Sequence, residues 1–236
     1  AALATGFTEL KLTGELSKTG IGGNWGTFIN NKKITKCDLT GVTDWGTTPT
    51  LPELDFANCT ALQEVTLPDD VRVIGSSAFF GCAALTTVNL SQVTWINLNA
   101  FYECTSLEMI ILNNVTEIGR EAFYGCTSLK TLKIPKCTRF GNYIVTGCKA
   151  LTQIEATATG DFLDIIGNSS IENYAVFHNR DTHSGENAFA PARCDLVLNT
   201  DKQEDGTAVP KVSGNNRWTL AANASPMMWK SITFRQ

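Results

Sequence analysis

Five cysteines stand in register along this chain of 236 residues: Cys59, Cys82, Cys104, Cys126 and Cys148, at steps of 23, 22, 22 and 22. Each is followed three positions later by a leucine, namely Leu62, Leu85, Leu107, Leu129 and Leu151. Three positions before the first four stand Phe56, Phe79, Phe101 and Phe123, with Val145 in the fifth copy; Ala78, Ala100 and Ala122 precede three of those rings. Self-similarity at a fixed period of about 20 to 50 residues is the signature of a repeat architecture, and it overrides any reading of isolated motifs.

Each part of the unit has a local meaning. After the leucine the chain reads LQEVTL, LTTVNL, LEMIIL, LKTLKI and LTQIEA, ending in apolar alternation such as Val65 with Leu67 and Val88 with Leu90. A period of two is a short strand with one face buried, and equivalent strands in successive copies must run parallel. A second apolar pair follows: Val71 and Ile74, Val93 and Ile96, Val115 and Ile118, then Cys137 and Phe140. The Ala-Phe-x-x-Cys stretch places its apolar groups so that one helical turn would gather them on a single face. Just before the cysteine stand Asn58, Gly81, Gly125 and Gly147, residues that enter the left-handed region cheaply, whereas Glu103 departs from that rule.

One such unit cannot bury its own apolar face. Stacked units share a continuous core with strands about 4.8 Å apart, so the chain is expected to be a solenoid. The string Ile-Gly-x-x-Ala-Phe-x-x-Cys-x-x-Leu-x-x-Val-x-Leu, matched nearly throughout by residues 74–90 and 118–134, closely resembles the BspA-like leucine-rich repeats. The expected fold is therefore an α/β repeat, a leucine-rich-repeat solenoid of short parallel strands at a period of about 22 residues with irregular N- and C-terminal caps. Degenerate copies extend it upstream: ITKCDLTGVTDW (34–45) matches the strand and the second apolar pair, FTELKL (7–12) matches the strand alone, and GTTPT (46–50) interrupts the period. Downstream of Ala156 the register is lost until CDLVL at 194–198, preceded by Ala188 and Phe189; WKSITF at 229–234, after Trp218, resembles the closing segment of such proteins. A single domain over 1–236 is expected, with degenerate repeats or a cap in 1–53, regular repeats in 54–156 and a C-terminal cap in 157–236.

Composition narrows the function classes. A chain 43% hydrophobic and 18% charged is globular rather than disordered, and no apolar run reaches the roughly 18 to 20 residues that span a bilayer. A net charge of -4 with a pI near 5.2 supplies no basic surface for phosphate backbones, which argues against nucleic acid as a partner. The chain opens AALATG, with neither an initiator methionine nor a signal peptide, so a targeting segment is expected to have been removed.

The cysteines read as small inward residues of the repeat. Cys37 and Cys137 also take apolar positions of the unit, and Cys194 falls in the cap. Free thiols are expected rather than bridges, because in-register neighbours point side by side and free cysteine is among the most buried residue types. No pair has the C-x2-4-C spacing of a zinc site, and no metal or cofactor is expected. Both histidines lie in HNRDTHSGE (178–186), where His178, Asp181, His183 and Glu186 could gather around a metal or around Ser184 as a nucleophile. The spacing matches neither H-E-x-x-H nor a zinc fingerprint, and the composition is that of a polar turn. GIGGNWG (20–26) fails the dinucleotide pattern because Trp25 holds its third glycine position. Five Asn-x-Ser/Thr sequons, at Asn58, Asn89, Asn114, Asn168 and Asn223, are those a threonine-rich chain carries by accident, and no glycan is assigned to them.

The expected function is a non-catalytic binding or adhesion module, since curved repeat surfaces offer extended contact area without catalytic residues. The resemblance implies a cell-surface or secreted setting, an extracellular host or bacterial surface protein or glycan as partner, and for some members adhesion to host matrix proteins and coaggregation. Two alternatives stand beside it: a hydrolase or metal-dependent enzyme using the His178/His183 loop, and a structural spacer. The alternation turns Glu64 and Thr66, Thr87 and Asn89, Met109 and Ile111, Thr131 and Lys133, Gln153 and Glu155 outward, and these ten are the candidate binding residues. Met109 and Ile111 are apolar where their equivalents are polar, which singles that rung out.

Overall fold

The apolar alternation is realised as strands that stack rung upon rung. The structure is a computed structural model that describes residues 8–15, 28–43, 50–51, 55–157, 194–199 and 231–235. In chain order its strands begin with β1 (Glu9–Glu15), β2 (Lys36–Thr43), β3 (Thr50–Leu51), β4 (Glu64–Thr66), β5 (Val73–Ile74), β6 (Thr87–Val88) and β7 (Trp95–Ile96). They continue with β8 (Met109–Ile111), β9 (Glu117–Ile118), β10 (Thr131–Ile134), β11 (Arg139–Phe140), β12 (Gln153–Thr157), β13 (Asp195–Asn199) and β14 (Ser231–Arg235). The strand pairings are parallel, as a succession of like coils requires.

Two walls result. The first carries the strand that follows each leucine, in two sheets of order β1-β2-β4-β6 and β14-β13-β12-β10-β8; the second carries the second apolar pair, in the order β11-β9-β7-β5-β3. β13 and β14 continue the first wall in unbroken register, Gln153 facing Asp195 and Asp195 facing Ser231. The strand-like runs expected at 194–198 and 229–234 thus extend the same ladder. The GIGGNWG segment, the HNRDTHSGE loop, Trp218, and Asn168 and Asn223 lie outside the described residues.

The Ala-Phe-x-x-Cys stretch differs from the expected helical turn: no helix is present among the described residues, and the stretch is a run of tight turns. Phe80 N–H donates to Ser77 O at 3.0 Å and Cys82 N–H to Phe79 O at 3.1 Å, a spacing of three rather than four. Four of these turns enter the left-handed region twice, at Ser77, Asn99, Glu121 and Tyr143 and again at Gly81, Glu103, Gly125 and Gly147, and Asn58 takes the second of these positions in the turn before them. Continuous helix cannot pass through such residues. The N–H groups they leave over point to the next coil instead, as in Phe79 to Ala100 O and Gly81 to Tyr102 O at 2.8 and 2.7 Å. Glu103 obeys the backbone rule it was expected to break, with φ of 56°. Close approach adds to the demand for glycine here, since a Cβ on Gly81 would lie 2.5 Å from Asn58 Oδ1.

Inside, the repeated phenylalanine forms a column. Phe28, Phe56, Phe79, Phe101 and Phe123 stack at centroid distances of 4.9, 5.4, 5.1 and 5.5 Å with planes within 15°. Phe28 extends the column across the 46–50 insertion. The cysteines line its flank. Cys59 Sγ donates to Phe28 O, Cys82 to Phe56 O, Cys104 to Phe79 O, Cys126 to Phe101 O and Cys148 to Phe123 O, at 2.9 to 3.2 Å. Each of those carbonyls also accepts a main-chain N–H within its own turn, as Phe79 O does from Cys82, so the thiol fills the second lone pair of an otherwise half-satisfied buried acceptor. All eight cysteines are free and buried. Burial pushes the Cys37 and Cys137 thiols up to about 12 and Cys59 to about 11, and raises Cys82, Cys104 and Cys148 as well, which keeps each proton in place for donation.

Candidate binding surface

Parallel pairing converts the outward residues of each strand into two rows along the solenoid. One row passes through Lys36, Glu64 and Thr87, then Met109, Thr131, Gln153 and Asp195; the other through Asp38 and Thr66, then Ile111, Lys133 and Glu155. The alternation is observed as expected. Inward Val65, Leu67, Leu90, Ile110, Leu112, Leu132, Ile134, Ile154 and Ala156 are buried, and all ten candidate residues are half-buried or exposed. Val88 departs from it, being only half-buried.

Charges in the rows are spent on neighbours one coil away. Lys11 pairs with Asp38 at 2.8 Å, Lys36 with Glu64 at 3.6 Å, Lys130 with Glu108 at 2.8 Å and Lys133 with Glu155 at 3.3 Å. Hydrogen bonds from Lys11 and Thr40 hold the Asp38 carboxyl well below the usual carboxylate range. Such exposed pairs are each worth about 0 to 1 kcal/mol, but together they leave a wall with little unpaired charge. Against it Met109 and Ile111 stand 54% and 43% exposed, adjacent on one strand. They line a groove of about 480 Å³ bounded by residues 86–88, 90 and 106–111. Trp95 and Leu98, from the same coil, are exposed at 40% and 43%, with Trp95 in the second wall.

One candidate residue is placed differently from its equivalents. Asn89 does not present its carboxamide to solvent: Oδ1 accepts Leu67 N–H at 2.5 Å and Nδ2 donates to Leu67 O at 2.9 Å. Asn114 is similarly engaged, its Nδ2 donating to Ser91 O at 2.7 Å and its Oδ1 accepting from Lys136 at 2.8 Å. Two of the five sequon side chains therefore act as clamps between coils, a role that sequence pattern alone does not signal. Among the described residues no group of three or more His, Cys, Asp or Glu could hold a metal, and no helix is long and apolar enough to cross a membrane. His178, Asp181, His183, Ser184 and Glu186 lie outside the described residues.

Comparison with known proteins adds the following. The family model described as BspA type leucine rich repeat region matches residues 27–152 in six copies. No curated protein matches the chain in sequence. Among solved structures, a leucine-rich repeat protein from T. pallidum is similar at 27% identity and TM-score 0.48, over 51% of this chain and 58% of that one. A leucine-rich cell surface protein from Faecalibacterium prausnitzii is similar at 24% identity and TM-score 0.45, over 64% of this chain and 48% of that one. The pneumococcal vaccine antigen PcpA is similar at 16% identity and TM-score 0.47, over 87% of this chain and 40% of that one. The chain thus spans about half the length of these structures.

Proposed function

Since the chain belongs to the BspA-type leucine-rich repeat family, we propose that it is a non-catalytic binding or adhesion module. Its strand wall contacts an extracellular host or bacterial surface protein or glycan, at the cell surface or as a secreted protein. The supporting observation is the exposure of Met109 and Ile111 on a wall whose charges are otherwise paired coil to coil. Burying one such side chain against a partner contributes roughly 1.5 to 3 kcal/mol, so the pair could anchor a contact made elsewhere by polar rows. An exposed apolar pair also weighs against a mere spacer, which would have no use for it. The loop on which the enzyme alternative rests lies outside the described residues.

The test is a pair of substitutions one residue apart, Ile111→Lys and Leu112→Lys, followed by thermal melting and by binding to immobilised extracellular matrix proteins and bacterial surface glycans. Ile111→Lys should leave the melting temperature nearly unchanged and weaken binding at least tenfold. Leu112→Lys buries a charge at a position with no exposure and should unfold the protein. A stable Ile111→Lys protein that binds every partner as before would refute the strand wall around Ile111 as the contact site.

A further inference from the structure

A second aromatic column runs beside the core. The residue that follows each core phenylalanine is aromatic in three successive coils: Phe80, Tyr102 and Tyr124, between Ala57 and Thr146 at the same position of the unit. Their rings stack at centroid distances of 4.8 and 4.6 Å with planes within 8°, closer than any pair of the buried column. Tyr102 and Tyr124 are half-buried. Tyr102 has a ring on either side, so the part of it that solvent reaches is its rim. The main chain fixes this spacing: Phe101 N–H donates to Ala122 O at 2.8 Å and Glu103 N–H to Tyr124 O at 2.7 Å, one bond on each flank of Tyr102.

Two of the three rings carry phenols. Tyr102 and Tyr124 have planes within 4° of each other, and their phenols are hydrogen-bonded together. Hydroxyl beside hydroxyl on parallel rings sets an ortho carbon of one ring opposite an ortho carbon of the other. Burial, and after it the Tyr124 phenol and the carboxylates of Glu103 and Glu121, push Tyr102 up to about 12. It therefore holds its proton at neutral pH, and oxidation must remove that proton together with an electron. Of the remaining tyrosines, Tyr143 takes a different position of the unit, with the Arg120 guanidinium 5.9 Å from its ring centre, and Tyr174 lies outside the described residues.

We propose that Tyr102 and Tyr124 are a modification site, at which a one-electron oxidant of the peroxidase and hydrogen peroxide class joins the two rings into an intramolecular dityrosine that staples successive coils. Each phenol gives up one electron and its proton. The two phenoxyl radicals then form one carbon–carbon bond between facing ortho carbons, and the two ortho hydrogens leave as protons while the oxygens regain theirs. Two tyrosines and one hydrogen peroxide thus give one dityrosine and two waters. Holding the partners face to face makes the coupling step unimolecular, so it outruns the meeting of two chains. Phe80 has no phenol and cannot extend the cross-link. This inference goes beyond the binding reading and does not depend on it.

The experiment treats the whole chain with a peroxidase and one equivalent of hydrogen peroxide, followed by mass spectrometry of the intact protein and of its tryptic peptides. The chain should lose the mass of two hydrogen atoms, and the peptides 73–120 and 121–130, which hold Tyr102 and Tyr124, should emerge joined. The yield should not change when the protein is diluted tenfold. Tyr124→Phe keeps the stacked ring, should leave the melting temperature nearly unchanged and should abolish the cross-link. Adding Phe80→Tyr to Tyr124→Phe moves the phenol pair one coil along, to rings 4.8 Å apart, and should restore the loss of two hydrogens, now within peptide 73–120. Cross-links found only between chains, or a Tyr124→Phe protein that loses hydrogen as readily as the parent, would overturn the proposal. So would peroxide treatment that leaves peptides 73–120 and 121–130 separate.

Discussion

Removing the ring of Phe101 tests the stacked core most directly. The side chain has no exposure, and its ring lies 5.1 Å from Phe79 and 5.5 Å from Phe123 with planes within 15° of both. An aromatic side chain buries about 150 to 250 Å², and at roughly 25 cal/mol per Å² the atoms lost in Phe101→Ala account for about 4 kcal/mol. The hole is hard to close. Phe79 N–H is tied to Ala100 O and Phe101 N–H to Ala122 O, both at 2.8 Å, so the neighbouring rings hang from a main-chain ladder that holds the coil spacing. The expected cost therefore lies in the upper part of the range of about 3 to 5 kcal/mol for such truncations. Urea unfolding followed by circular dichroism should show a lower midpoint. Because each coil touches only its neighbours, the transition should also broaden as the two halves lose cooperativity. Phe101→Leu, which retains most of the volume, should cost less than half as much. A loss below about 1 kcal/mol for Phe101→Ala would refute the buried column.

The thiols should be unreactive to a disulfide reagent at pH 8 in the native protein and all eight should titrate in denaturant without reductant; rapid native labelling would contradict their burial. Burial raises the folded-state values of Cys37, Cys59 and Cys137 above the ordinary 9.0, so their contribution is fully present below pH 9 and is lost between there and about pH 11 to 12, as unfolded chains ionise first. Denaturation midpoints measured from pH 8 to 11 should fall, and replacing Cys37 and Cys137 by alanine should flatten that decline. Glu103→Gly should stabilise the protein by about 0.5 to 1 kcal/mol in urea unfolding, because a residue held at φ of 56° gives way to one without a Cβ penalty; a destabilisation would show that the Glu103 side chain over Gly125 outweighs the backbone.

Much of this architecture was legible in the order of residues. A period of 22 with cysteine, leucine and phenylalanine at constant offsets determines which side chains face inward, because one coil cannot bury its apolar face without a like neighbour. The column of Phe79, Phe101 and Phe123, the burial of Cys37 and Cys137 and the outward turn of Met109 and Ile111 follow from that periodicity, whereas the continuation of the ladder through β13 and β14 lies beyond the point where the period is lost. What only the tertiary structure decided is how main-chain groups pair between coils. Periodicity reports the face a side chain takes and says nothing of the acceptor it finds there. The thiol of Cys104 and the carbonyl of Phe79 are 25 residues apart and meet only through stacking. Glu103 enters the left-handed region because the neighbouring turns impose their conformation on it, against the preference of its own side chain. Phe28 joins the column although its spacing from Phe56 departs from the period, because it stacks on Phe56 at 4.9 Å. Asn89 and Lys133 are both polar residues at the same position of the unit, yet one has a carboxamide able to replace a peptide in the ladder and the other does not, so Leu67 N–H meets a side-chain oxygen where Leu112 N–H meets a main-chain one.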